Sequence, residues 1–182
     1  MVLRTQVDKK QTSIIKEIRY YINNNKEPIR FLLLFMLCSL TFFIFYFLLQ
    51  DSLNGLLFFT AQTVGMVSNA IGLSVVVEGV FIEIGTMTFE IIHECTGIFA
   101  IAISLSSIIA YPTQWKQKTI GILFVIPFIL FLNLIRILFL IYIGKYHMGL
   151  FEMVHAYLWQ GTFIIFIILA WFLWIELVVK HA

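Results

Sequence analysis

The sequence predicts an all-α polytopic membrane protein with about four transmembrane helices, an amphipathic helix and a short β-hairpin on the outer face. Three observations carry that prediction. Of 182 residues, 61% are hydrophobic, and the mean hydropathy is +0.98, a composition that excludes an ordinary water-soluble domain. Four apolar runs, at residues 31–49, 96–111, 119–143 and 156–179, have lengths suited to crossing a bilayer. A stretch around Gly85 and Thr86 instead alternates with period two.

Residues 1–30 form the one long polar segment, with basic residues Arg4, Lys9, Lys10, Lys16, Arg19, Lys26 and Arg30. They read as a basic cytoplasmic N-terminal segment, with residues 31–182 as the membrane-embedded domain. Ile14, Ile15, Ile18 and Ile22 fall at helical spacing, so residues 11–22 are expected to lie along a membrane surface. A cleaved signal peptide would place its apolar core nearer the start, followed by small residues. Residues 31–49 therefore read as an uncleaved signal anchor.

Residues 53–77 read as an amphipathic helix. Asn54, Phe58, Ala61, Gln62, Gly65, Ser68, Asn69 and Gly72 form one stripe, and Leu53, Leu56, Leu57, Thr60, Val64, Val67 and Ile71 the other. Such a helix either spans while packed on neighbours or lies against the outer surface. Residues 79–92 read as a hairpin. A Gly85-Thr86 turn pairs Ile84 with Met87, Ile82 with Phe89 and Val80 with Ile91 on one apolar face, and Glu83 with Thr88 on the other. A lone hairpin is marginal, so its apolar face must rest on helices or membrane. Pro112 ends the run at 96–111. The run at 119–143 contains Pro127, Asn133 and Arg136. Residues 144–155 read as a connection, and Tyr157, Trp159, Trp171 and Trp174 read as interfacial anchors of the final run.

The basic residues then set the topology. With the N-terminus cytoplasmic and residues 53–77 not crossing, the seven N-terminal cations, Lys116, Lys118 and Lys180 all lie inside. Asp51, Glu78, Glu83, Glu90, Glu94 and Glu152 lie outside. A fifth crossing at 53–77 would turn Lys116 and Lys118 outward, so four spans fit better.

Two cysteines, Cys38 inside an apolar run and Cys95 at a polar boundary, make neither a disulfide framework nor a metal site. No P-loop, HExxH, GxSxG or GxGxxG is present. No cofactor, metal or nucleic-acid partner is expected. Cys95 opens a long apolar run, with Thr96 and Gly97 expected in the first helical turn. A thiol there feels the positive end of the helix dipole, which favours thiolate. The plain alternative is a small packed hydrophobe, but the boundary position favours a reactive thiol. Arg136 lies about two turns below the outer end of its span by helix rise, and an arginine within a span is a functional-site candidate. The alternative is snorkelling to headgroups. Asn133, three residues earlier on the same helical face, is placed to orient the guanidinium. His155 stands just before the last span. His93 and His147 remain alternatives to it as a base.

These residues resemble a known group. Glu-Cys-Thr-Gly-Ile at 94–98, Asn-Leu-Ile-Arg-Ile at 133–137 and His155 before a final span are similar, in order, spacing and setting, to the exosortase/archaeosortase family. The likeness covers residues 75–174, and the short N-terminal part makes this chain look like a minimal core. The resemblance implies an integral membrane cysteine protease and transpeptidase of the cell membrane, active on the extracytoplasmic face. It implies Cys95 as nucleophile, Arg136 as electrostatic stabiliser and His155 as acid/base, with Glu94, Gly97 and Asn133 in support. Its implied partners are exported proteins ending in a short motif, a transmembrane helix and a basic tail, and a lipid or glycan acceptor. The chemistry is coherent, since cleavage through a thioester needs a thiolate, a proton donor for the amine and charge stabilisation at the oxyanion. The alternative from another class is a non-catalytic membrane subunit that binds a partner's transmembrane helix. A small transporter fits less well, because no inverted repeat is visible.

Overall fold

A computed structural model describes residues 26–180, without the side chains of residues 155, 156, 158–160 and 163. The surface helix expected at 11–22 lies outside the described residues. Helix α1 runs Lys26–Leu49, opening with Glu27 and Pro28, an acid and a proline suited to a first helical turn. A 3-10 turn, Gln50–Leu53, joins it to α2, Asn54–Ala70. A three-stranded sheet follows: β1 Val76–Glu78, β2 Phe81–Ile84 and β3 Met87–Glu90. Then come α3, Ile98–Ala110, α4, Trp115–Tyr146, and α5, Met148–Trp174, ending in a π-helical turn, Ile175–Val179. Among the described residues, two helical stretches are long and apolar enough to cross a membrane, Lys26–Ala70 and Trp115–Tyr146. Ile98–Ala110 and Ile164–Val179 are shorter apolar helices.

The hairpin has the register expected from the sequence. Ile84 faces Met87, Glu83 faces Thr88 and Ile82 faces Phe89, and the Ile91 N–H donates to the Val80 carbonyl at 2.9 Å. Gly85 takes φ +62°, the left-handed conformation that a Gly-X hairpin turn requires. The sequence reading missed β1, whose Val77 pairs with Ile82 across a second turn at Gly79. It also carried α2 too far. Helix α2 stops at Ala70 because Asn69 turns back on the chain. Its Oδ1 accepts from the Val75 N–H at 2.7 Å, and its Nδ2 donates to the Val75 carbonyl at 3.0 Å. That clamp delivers a β-branched run, Val75 to Val77, to the sheet edge, where such residues pack well.

The sheet's apolar face, Ile82, Ile84 and Ile91, is buried against Ala61 and Val64 of α2 and Ile137 and Ile141 of α4. The face of α2 turned inward takes Ala61, Gly65 and Ser68 from the small and polar stripe and Val64 from the apolar one, whereas Asn54, Phe58, Gln62 and Asn69 of the first stripe are exposed. Any side chain at position 65 would collide with Val77, so Gly65 lets the helix approach the sheet. Burying Ile82 completely is worth about 2 kcal/mol, and a one-residue slip would turn it to the surface.

A second core joins the bundle. Ala100 and Ile108 of α3, Val125 and Ile129 of α4, and Ala170 and Trp174 of α5 pack together. Trp174 lies over Gly121, and its Nε1 donates to the Gln117 carbonyl at 3.0 Å. Helix α4 starts four residues before its apolar run, where Gln114 and Gln117 form a reciprocal capping box.

The connection expected over residues 144–155 is corrected. Only His147, with φ −140° and ψ 54°, interrupts the helices, and α5 begins at Met148. His155 therefore lies inside a helix. Hydropathy marks where a membrane would begin, whereas the helix extends beyond it through good helix formers such as Met148, Leu150, Glu152 and Met153.

The two ends of the bundle differ. At one, Glu27, Arg30, the 111–114 turn, Lys118 and Val179 share a cavity. At the other stands the sheet, tied to α4 by Lys145 Nζ donating to the Leu73 carbonyl at 2.9 Å, and to α5 by Phe89 against Phe151 with ring centroids 5.4 Å apart.

Candidate active site

Cys95 lies in a 3-10 turn, His93–Thr96, between β3 and α3. Its N–H donates to the Ile92 carbonyl at 2.8 Å. The Thr96 hydroxyl donates to the His93 carbonyl at 2.6 Å and accepts from the Ile98 N–H at 3.3 Å. Gly97 then takes φ +78° and ψ 3° and forms the N-cap of α3. This corrects the expectation that Thr96 and Gly97 sit in the first helical turn. A left-handed glycine separates the Cys95 turn from the helix, because the chain must reverse between the sheet and α3.

The thiol's electrostatics differ accordingly. Cys95 is half-buried and precedes the apolar helix, and burial pushes its pKa above the ordinary thiol value. A backbone hydrogen bond with Ile92 and the positive charge of Arg136 pull it down, while Glu94 adds to the rise. Desolvation outweighs the hydrogen bond and the cation together. The thiol of the free protein is therefore less acidic than a helix N-terminus alone would make it, and Arg136 is the cation that counters this.

Asn133 supplies the long-range contact. Its Nδ2 donates to the Cys95 carbonyl at 2.6 Å across 38 residues of sequence. Both Asn133 and Arg136 are buried in α4. The sequence placed Asn133 beside Arg136 as its orienting group; the bond observed for its Nδ2 goes to the backbone of Cys95. Gly97 packs on the same side chain, since a Cβ there would lie 3.4 Å from Asn133 Cγ. Cys95, Gly97 and Asn133 thus form one contact set, with Arg136 one helical turn further along α4.

The histidines separate by position. His93 opens the Cys95 turn, but its ring is edge-on to Tyr46 of α1 at 5.6 Å. Its Nδ1 is buried without a hydrogen-bond partner among the described residues. His147 sits at the break between α4 and α5. His155 falls in α5, and its side chain lies outside the described residues. Tyr46, which the sequence did not single out, also packs on Phe99 with centroids 4.9 Å apart. Two apolar clefts flank the turn. One, about 520 Å³ between α1 and α3, is bounded by Tyr46 and Phe99; the other, about 210 Å³ between α2 and α4, is bounded by Thr96 and Asn133.

The sequence matches the transmembrane exosortase family over residues 27–175, most of the chain. The chain belongs to the transmembrane exosortase family. Among curated proteins it is similar to the probable archaeosortase E of Methanocaldococcus jannaschii, 40% identical over 67 residues, 37% of this chain and 36% of the relative. The match thus spans about a third of that relative's length. No solved structure matches. Membership makes this exosortase a membrane protein, and it places the chain in a family of cysteine-type transpeptidases that act in protein sorting.

Proposed function

We propose that this exosortase cleaves the C-terminal sorting signal of exported proteins and transfers them, through a thioester on Cys95, to an amine or hydroxyl of a lipid or glycan acceptor. The observation that carries the reading is the Asn133–Cys95 hydrogen bond at 2.6 Å, which joins two otherwise distant polar motifs at one buried point. In the first step the Cys95 thiolate attacks the scissile carbonyl carbon and Arg136 stabilises the oxyanion. The carbon–nitrogen bond breaks, and His155 gives a proton to the departing amine. In the second step the acceptor attacks the thioester, His155 takes its proton, and the thiolate leaves. Water in place of the acceptor would give hydrolysis.

Helix rise supports an outer-face site. From Trp115 to Asn133, α4 advances about 27 Å at 1.5 Å per residue, close to the roughly 30 Å of a bilayer's apolar core. A membrane that begins at the Trp115 end therefore reaches Asn133 and Cys95. Arg136 lies about 4.5 Å beyond it, at the edge of the apolar core and covered by protein. That level reconciles a buried arginine with an otherwise apolar helix.

Four spans with a cytoplasmic N-terminus complete the topology. Single cysteines at Thr86 and Gln114, in a Cys38→Ala, Cys95→Ala background, test it with a membrane-impermeant thiol reagent. Thr86→Cys is expected to label from outside and Gln114→Cys only after permeabilisation, and the opposite pattern inverts the site. The function itself is tested by following release of a substrate's C-terminal helix on a gel. Cys95→Ala is expected to abolish release and Cys38→Ala to leave it unchanged; release by Cys95→Ala would remove the reading.

A further inference from the structure

The end of the bundle remote from Cys95 carries a cavity that the proposed chemistry does not use. It holds about 650 Å³ between the start of α1, the turn between α3 and α4, and the end of the chain. We propose that it binds the headgroup of a glycerophospholipid, whose phosphodiester is held between Arg30 and Lys118.

The walls are fixed before any ligand arrives. Gln117 Oε1 accepts from the Thr113 hydroxyl and, at 3.1 Å, from the Gln114 N–H, so the turn between the helices is a rigid corner. The Gln117 carbonyl in turn anchors Trp174. Lys118 is aimed by its own contacts. Its Nζ donates to the Ile109 carbonyl at 2.6 Å and stands 5.2 Å from the Trp115 ring centroid, which leaves donor capacity on an ammonium that carries three. Arg30, across the cavity on α1, makes no ion pair or hydrogen bond among the described residues. A guanidinium with its planar fork unused and an ammonium lining the same cavity suit the oxygens of one phosphate.

The charge balance narrows the ligand. Arg30 and Lys118 face one carboxylate in the lining, Glu27, which leaves one net positive charge. That complements a phosphodiester, which carries one negative charge, better than a phosphate monoester, which carries nearly two. Around the cavity lies an aromatic layer suited to the bilayer interface. Phe31 contacts Tyr111 and Trp171 with centroids 6.3 and 6.4 Å away, and Trp115 is 78% exposed. Basic pockets between membrane helices are a recurrent site for phospholipid headgroups. The free oxygens of a soluble phosphate would satisfy the same cations, but only a lipid would also use the apolar wall of Phe31 and Leu34.

The test uses the whole chain in detergent and native mass spectrometry with phosphatidylglycerol as the probe. Arg30→Gln, at an exposed position, is expected to weaken phosphatidylglycerol binding at least about tenfold, while Arg30→Lys recovers part of it. Lys116→Gln removes the same charge from the same end but outside the cavity, and is expected to change binding less than about twofold. Glycerol 3-phosphate at millimolar concentration is expected not to displace the lipid. Equal binding by Arg30→Gln and the wild type, or equal losses in Arg30→Gln and Lys116→Gln, would overturn the site. Displacement by glycerol 3-phosphate would overturn the lipid assignment.

Discussion

Replacing Asn133 by alanine removes the hydrogen bond that ties α4 to the Cys95 turn. The lost bond is the 2.6 Å contact from Asn133 Nδ2 to the Cys95 carbonyl, and Asn133 itself is only 6% exposed. A buried carbonyl deprived of its donor costs about 1–3 kcal/mol. If that cost is realised where the nucleophile's turn must hold its geometry for attack, cleavage slows by about five- to 150-fold, at 1.4 kcal/mol per factor of ten. Asn133→Asp separates geometry from packing, because an ionised carboxylate keeps the shape but cannot donate. It is expected to lose at least as much activity as the alanine variant. The assay is release of the substrate's C-terminal helix by purified enzyme in detergent, beside a thermal unfolding curve for each variant. Both variants are expected to insert and fold with a lowered midpoint. A wild-type cleavage rate in Asn133→Ala would refute the idea that this bond positions Cys95.

Four further outcomes follow from the same geometry. Arg136→Lys keeps the charge but loses the two aligned donors best suited to an oxyanion, so most activity should disappear while the protein still accumulates; wild-type turnover would show that charge alone suffices. Removing histidines one at a time should rank His155→Ala far below His93→Ala and His147→Ala in cleavage, and an intact rate in His155→Ala with none in His93→Ala would reassign the base. Gly97→Ala forces an L-residue to φ +78° at about 1–2 kcal/mol and pushes on Asn133, so both the unfolding midpoint and the rate should fall. Alkylation of Cys95 should also rise with pH through a range above that of a free cysteine, because its thiol is pushed up by burial. Arg136→Gln should move that profile higher still, since the lost cation favours the thiolate.

The hairpin was legible because its information is local. Matched pairs on both faces and a Gly-X turn fix one register, and the structure has it. Strand β1 was not legible, because Val75 to Val77 continue a helical pattern equally well, and only Asn69 reaching six residues ahead decides against the helix. The start of α5 was misplaced because hydropathy drops at residue 144 while the helices continue on both sides of His147. At the site, Cys95 and Arg136 stood out as chemical types in unusual surroundings. The partner of Asn133 could not, since a spacing of three points to Arg136 and the actual acceptor lies 38 residues away. Tyr46 carried no signal at all among the aromatic residues of α1. The thiol's pKa was misjudged for a related reason, because a helix dipole can be inferred from sequence but desolvation depends on what packs around the sulfur.

The central claim is that Cys95 carries the substrate as a thioester. Substrate mixed with purified enzyme without acceptor, quenched in acid and digested, would show this directly by mass spectrometry. The account predicts a peptide containing Cys95 with the substrate's new C-terminus attached, labile to hydroxylamine, absent in Cys95→Ala and present in Cys38→Ala. A hydroxylamine-labile adduct on another residue, or cleaved substrate with Cys95 unmodified at every time point, would contradict it.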